Sequence, residues 1–313
     1  MADVLERAIV ALPAPLVRPP GPDTRVGISG WIYPPWRAAF YPEGLAHRME
    51  LAYASRHVAS IEINGTFYSL KKPQDFLSWR EDTPDDFLFS VKGGRYITHL
   101  RKLDNVRVPL ANFLASGVLA LGEKLGPILW QLPPQLPFFP ERIEAFLALL
   151  PHDHAAAARL AEEHDDRVAG RAFLDVVGKR PLRHAMEVRH PSFADPAFIA
   201  LLRRYNVASA IPDVPAGPWP VLEDVTADFV YARLHGAEEL YASGYDDAAL
   251  DRWAARFAAW RAGGEPDDAR RASHVPPPRS RGRDVYVYFD NDIKVHAPFD
   301  AERLAARLGV RRV

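Results

Sequence analysis

Glu187 and Arg189 sit two positions apart in Met186-Glu187-Val188-Arg189-His190-Pro191, a short apolar run that meets three ionisable side chains and stops at proline. Side chains alternate between the faces of a strand, so Glu187 and Arg189 share one face and Met186 and Val188 the other. The pattern recurs along the chain. Ile61 and Ile63 on one face leave Glu62 and Asn64 on the other; Ser90 pairs with Lys92, and Gln131 ends its run. Val230, Ala232 and Leu234 leave Tyr231, Arg233 and His235 together, and Tyr286 and Tyr288 lead into Asp290 and Asn291.

Two carboxylates in unlike surroundings can hold different pKa values and divide acid and base duties. Glu187 is the first candidate for general acid or base and Glu62 the second. Arg189, Arg233 and Lys92 would orient a substrate or stabilise developing negative charge. Two carboxylates against three cations favour an anionic or electron-rich ligand. The plain alternative is structural: Glu62 with Lys92, and Glu187 with Arg189 or Arg233, as ion pairs closing one end of the fold.

His99, His190 and His235 each follow a predicted strand and are further acid–base candidates, His235 the foremost. With Glu187 and Asp213 they offer a His/carboxylate metal site. No His-x-x-x-His or Glu-x-x-His on a helix supports it, and the arginines would repel a cation. No cofactor is therefore expected, and a divalent metal is the rival reading. Trp31, Tyr33, Trp36 and Tyr41 follow the first strand, Phe67 and Tyr68 the second, and Tyr241 and Tyr245 the seventh. Aromatic faces with polar tips suit stacking on a sugar or base. Trp31, Tyr68 and Tyr241 are the candidates for that role; Trp36 and Phe67 suit packing.

Eight segments have strand character: 26–29, 60–64, 87–92, 128–132, 183–188, 207–211, 229–234 and 285–289. Helical periodicity marks 43–57, 73–81, 106–124, 140–150, 196–205, 246–262 and 300–308. Only a turn or two fits between the sixth and seventh strands. Alternating strands and helices imply a parallel sheet, and eight such units imply one (β/α)₈ barrel, whose ligands bind at the carboxyl ends of the strands. A doubly wound sheet is the rival, but Gly27-Ile28-Ser29-Gly30-Trp31 is not a dinucleotide-binding loop.

The remaining features bound the answer. The 313 residues are 48% hydrophobic and 25% charged, with net charge -1 and no cysteine. That balance offers no general attraction to nucleic acid or anionic membranes, and thiolate chemistry is excluded. No apolar run approaches a membrane span. Residues 1–24 read as a Pro-rich arm rather than a secretory signal, so a cytoplasmic location is expected. The barrel would occupy 25–313, with insertions at 152–179 and 263–284. The second insertion, rich in Gly, Pro, Ser and Arg, reads as a disordered loop.

Several of these pieces resemble, in order, the motifs of the YecE-like family, domain of unknown function 72 (DUF72). They are Gly27-Ile28-Ser29-Gly30-Trp31, Glu62-Ile63-Asn64-Gly65-Thr66-Phe67-Tyr68, Lys92 with Ile97-Thr98-His99, Gln131-Leu132-Pro133-Pro134, Glu187-Val188-Arg189-His190 and Tyr231-Ala232-Arg233-Leu234-His235-Gly236. Phe289-Asp290-Asn291-Asp292 is similar to its last motif. The resemblance implies a (β/α)₈ barrel and no particular reaction. The functional expectation is acid–base chemistry (isomerase, lyase or hydrolase type) on a small polar, anionic or sugar-like molecule. The alternatives are a metal-dependent phosphodiesterase or nuclease, and a non-catalytic binder of an anionic ligand.

Overall fold

A computed structural model describes residues 12–312, apart from 177, 216 and 218. In chain order the elements are β1 (Leu16–Val17), β2 (Thr24–Ser29), α1 (Glu50–Ala54), β3 (Ser60–Ile63), α2 (Gly65–Tyr68), α3 (Pro73–Glu81), β4 (Leu88–Lys92) and α4 (Arg107–Ala115). There follow β5 (Leu125–Gln131), α5 (Pro140–Leu149), α6 (His154–Ala161), β6 (His184–Glu187), α7 (Pro196–Arg204), β7 (Ala208–Asp213) and β8 (Phe229–Leu234). The chain closes with α8 (Asp247–Arg261), β9 (Asp284–Phe289), α9 (His296–Arg307) and β10 (Arg311–Arg312). Strands β2 to β9 form a closed parallel barrel in sequence order, the (β/α)₈ architecture expected from the alternation of strand and helix. None of the described helices is long and apolar enough to cross a membrane.

The outward strand residues (Val26, Ile28, Ile61, Ile63, Met186, Val230 and Val287 among them) pack with the helices in the main core. Burying each such side chain contributes roughly 1.5–3 kcal/mol. The barrel interior differs from the usual Val/Ile/Leu layers. It is filled by Phe229, Tyr231, Tyr286 and Tyr288 against Leu129 and the alanines 185, 208, 210 and 227. The tyrosine hydroxyls need partners when buried, and serines supply them. Ser60 Oγ lies 2.8 Å from the Tyr288 hydroxyl, and Ser90 Oγ 2.7 Å from that of Tyr231. Gly27 faces this interior; a Cβ there would stand 2.1 Å from the Ser60 carbonyl oxygen.

Several expectations need revision. The helix expected over 43–57 is only α1, preceded by a turn at His47–Met49, because Pro42-Glu43-Gly44 delays helix entry. The helix expected over 106–124 ends at Ala115, where Gly117 takes φ 120°. Helix α9 begins earlier than 300, with Pro298 in its first turn. Residues 1–11 of the expected arm lie outside the described residues. Within the rest, β1 pairs antiparallel with β10, and Arg18 bridges Asp23 and Asp86.

The 263–284 segment is not the loose loop its composition suggests. The connection from β7 to β8 carries no helix, and this segment covers that side. Glu223 and Arg270 exchange backbone and side-chain hydrogen bonds, and the Asp224 carboxylate accepts the amides of Ala272 (2.8 Å) and Ser273 (3.1 Å).

Candidate functional site

The carboxyl ends of the strands meet around one guanidinium. Arg233, on β8, is fully buried. Its Nε and Nη2 donate to Glu62 at 3.2 and 2.8 Å, Nη1 donates to Glu187 at 2.7 Å, and Nη2 also donates to Asp290 at 2.9 Å. Three carboxylates from β3, β6 and the end of β9 thus share one arginine. Glu62 is saturated by Ser29 Oγ at 3.1 Å and the Tyr231 hydroxyl at 2.6 Å. Glu187 takes Arg189 Nε at 2.8 Å. Isolated buried charges cost several kcal/mol each, about what excellent mutual geometry is needed to offset; here nearly every lone pair is used.

The electrostatics follow from that packing. Burial alone would raise the Glu187 carboxyl, but Arg233 and then Arg189 hold it well below the ordinary range. Asp290 behaves alike: burial raises it, and Arg233 more than reverses the shift. His235 is also fully buried. Its Nδ1 lies 3.1 Å from Asp290 Oδ2, close enough for an ion pair but without hydrogen-bond alignment, and among the described residues neither ring nitrogen has a hydrogen-bond partner.

Above this floor opens a cleft of about 740 Å³, lined by Tyr33, Asn64, Phe67, Tyr68, Lys92, Arg95, His99, Leu100, Gln131, Arg189, Tyr241, Asp290 and Asp292. Three basic side chains (Lys92, Arg95, Arg189) face two carboxylates there. Arg189 is held on three sides: by Glu187, by the Tyr241 hydroxyl at 3.3 Å, and by the Trp219 ring, whose centroid is 3.7 Å from its guanidinium. Tyr241 adopts φ 64° to reach this position. His99 is pushed down to about 4 by burial and by Lys92 and Arg189, so it is neutral near pH 7.

Of the residues singled out from sequence, Asn64, Tyr68, Lys92, His99, Gln131, Arg189 and Tyr241 line this cleft. Glu62, Glu187, Arg233 and His235 lie beneath it. The pairing of Glu62 with Lys92 does not occur: the Lys92 ammonium sits over the Phe67 ring, 4.7 Å from its centroid. Trp31 lines a neighbouring pocket of about 250 Å³ and meets Trp79 edge to face. His190 caps the turn at Pro191–Phe193, accepting from the Ser192 amide. Asn291 is buried and donates to Ser243 O and Asp300. Trp36 is buried packing and Tyr41 anchors the Trp31 carbonyl. Among the described residues no three His, Asp or Glu side chains are grouped to hold a metal ion. Arg233 stands where such a ligand set would close.

Arg95, just past β4, Asp292 and Trp219 are site residues not among the sequence candidates. Asp292 lies in the loop after β9, where strand periodicity has ended. Its carboxyl is raised to about 6, first by burial and then by neighbouring Asp290, against a lowering hydrogen bond from Tyr33. Trp36 Nε1 fixes this loop by donating to the Asp292 carbonyl at 3.2 Å. Trp219 comes from the helix-free connection after β7 and also meets the His235 ring edge-on at 5.6 Å.

The profile of the family described as "Protein of unknown function DUF72" matches residues 25–313. The chain belongs to the DUF72 family. Among its curated relatives, the UPF0759 protein YecE of Escherichia coli strain K12 is 33% identical over 108 residues, or 34% of this chain and 37% of that protein. YunF of Bacillus subtilis, another UPF0759 protein, is 28% identical over 120 residues, or 35% of this chain and 39% of that protein. The matched stretch thus spans little more than a third of either relative. A DUF72 crystal structure from Thermotoga maritima superposes with TM-score 0.68 at 21% identity, covering 92% of this chain and 99% of that one. One from Enterococcus faecalis gives 0.63 at 16%, covering 91% and 95%. These likenesses concern the DUF72 fold.

Proposed function

We propose that the cleft is the active site of an enzyme that moves protons on a small, polar, anionic molecule. The observation that carries this reading is the division among the carboxylates. Glu62, Glu187 and Asp290 are committed to Arg233, whereas Asp292 reaches the cleft, makes no ion pair among the described residues, and has its carboxyl raised to about 6. A group poised near the working pH serves general acid–base catalysis best. The proton-transfer role expected of Glu187, Glu62 and His235 is therefore reassigned to Asp292. The buried trio fixes Arg189 and the strand ends in place. Arg189 and Arg95 would hold the anionic group, while Asn64, Gln131 and Tyr241 offer polar contacts to hydroxyls. Isomerisation, elimination and hydrolysis all fit this set.

A thermal-shift screen of phosphorylated and acidic sugars tests the reading, since a ligand that binds only the folded chain raises its stability. The expected result is a rise in Tm that Arg189→Ala abolishes. No response to any anion, or a response unchanged in Arg189→Ala, overturns it.

A further inference from the structure

We infer that Lys92 is a nucleophilic amine of this cleft and forms an imine with the carbonyl group of its substrate. The inference rests on the proposed active site and adds to it a substrate class: a small anionic aldehyde, ketone or keto acid.

Lys92 ends β4, at the carboxyl rim of the barrel, and lines the cleft. Its backbone is pinned by Thr66 Oγ1, which donates to the Lys92 carbonyl at 2.7 Å. A Cβ on the next residue, Gly93, would lie 2.3 Å from the Trp130 ring, so that ring packs against the backbone there only because the residue is glycine. Among the described residues no carboxylate stands within 4.0 Å of the Lys92 ammonium. The nearby acids are already taken: Asp290, Glu62 and Glu187 all serve Arg233.

The other lysines set the contrast. Lys124, which is buried, saturates its ammonium on the Arg80 and Thr83 carbonyls and the Thr83 hydroxyl. Lys294 pairs with Glu239, and Lys72, Lys102 and Lys179 are exposed. Burial first, and then the charge of Arg233, lower the Lys92 pKa, against Glu62, Asp290 and Glu187, which raise it, and against the cation–π contact with Phe67. A lysine desolvated beside a second cation is a recognised way of activating an amine.

The chemistry balances without an oxidant or reductant. The lone pair of the neutral amine attacks the carbonyl carbon, a C–N bond forms, and the carbonyl π pair moves to oxygen, which takes the proton that the nitrogen gives up. Protonation of that hydroxyl, with Asp292 as donor, expels water and leaves an iminium. The Asp292 carboxylate then removes a proton from the adjacent carbon, the C–H pair flowing into the iminium. Return of that proton to carbon regenerates an iminium, and water adds to its carbon, releasing the carbonyl product and the free amine. Arg189 and Arg95 hold the anionic group meanwhile.

The test exposes the full chain to formaldehyde, pyruvate and dihydroxyacetone phosphate in separate reactions near neutral pH, reduces each with borohydride, and maps lysine adducts by peptide mass spectrometry. The chain carries seven lysines, so six are internal controls. Each unit by which an ammonium pKa falls raises its free-amine fraction about tenfold. Lys92 is therefore expected to react ahead of Lys72 and Lys102, and Lys92→Arg to lose that adduct while keeping its Tm. An absent adduct at Lys92 with all three probes, or a yield no greater than at the exposed lysines, overturns the imine. Glycerol 3-phosphate, which has no carbonyl, separates the two readings in the same thermal-shift format. If it stabilises the chain while Lys92 stays unmodified, the anion cleft stands and the imine alone falls; if neither occurs, both fall.

Discussion

Replacing Arg233 by methionine keeps much of the side-chain volume and removes the one charge that three buried carboxylates share. In the native chain Glu187 and Asp290 titrate well below their ordinary values. A depressed carboxyl binds its proton less tightly folded than unfolded, so its contribution is present above the unfolded pKa near 4 and is lost as pH falls. Without Arg233 the burial that raises both groups remains, and the nearest cations left are Arg189 and Lys92. The carboxyls then move above their unfolded values, and the sign inverts: stability falls as pH rises from about 4 to 7. Breaking a buried ion pair from one side costs about 3–5 kcal/mol, and a similar loss is expected for Arg233→Met near neutral pH. Urea unfolding of both proteins at about pH 5 and pH 7.5 reads the loss and the slope together. A loss below about 1 kcal/mol, the value of an exposed pair, or an unchanged sign of slope would refute the reasoning.

Three further variants probe single contacts. Asp292→Asn removes a negative charge that appears above pH 6; anion affinity in the native chain should fall as pH rises through 6, by on the order of tenfold at close range, and the variant should stay flat, as calorimetric titration at several pH values will show. Because the raised carboxyl is bound more tightly folded than unfolded, the same variant should gain thermal stability above pH 6 and little below 4. Asp224→Ala strips the acceptor from the Ala272 and Ser273 amides, costing about 1–3 kcal/mol; trypsin should then cut sooner at Arg279 and Arg281, and unchanged cleavage would show that the segment is held otherwise. Gly27→Ala forces a Cβ against the Ser60 carbonyl and should lower stability by about 1–3 kcal/mol or more, measured by denaturant midpoint.

The floor of the site was legible because strand periodicity is local. Ile61 and Ile63, or Val230, Ala232 and Leu234, declare their face, and the period of two then places Glu62, Tyr231 and Arg233 inside. What periodicity cannot tell is depth. Glu187 and Glu62 lie beneath the cleft lining, and three carboxylates rather than two converge on Arg233 because Asp290 arrives from beyond β9. Asp292 and Trp219 sit in loops, where side-chain direction is set by tertiary contacts such as Trp36 with the Asp292 carbonyl. The same limit applies to 263–284. Its Gly and Pro content rules out helix and strand, yet Asp224 and Glu223, forty to fifty residues earlier, hold it against the barrel. The 43–57 helix was overestimated for a simpler reason: hydrophobic spacing carried more weight than Pro42 and Gly44.

The central claim is a division of labour among acids at one barrel mouth, and a carboxyl-detected NMR titration of the full chain, with Asp292→Asn for assignment, tests it most directly. Asp292 is expected to titrate near 6 while Glu187 and Asp290 stay ionised far below the usual carboxylate range. An Asp292 midpoint near 4, or a Glu187 midpoint near neutrality, would contradict it.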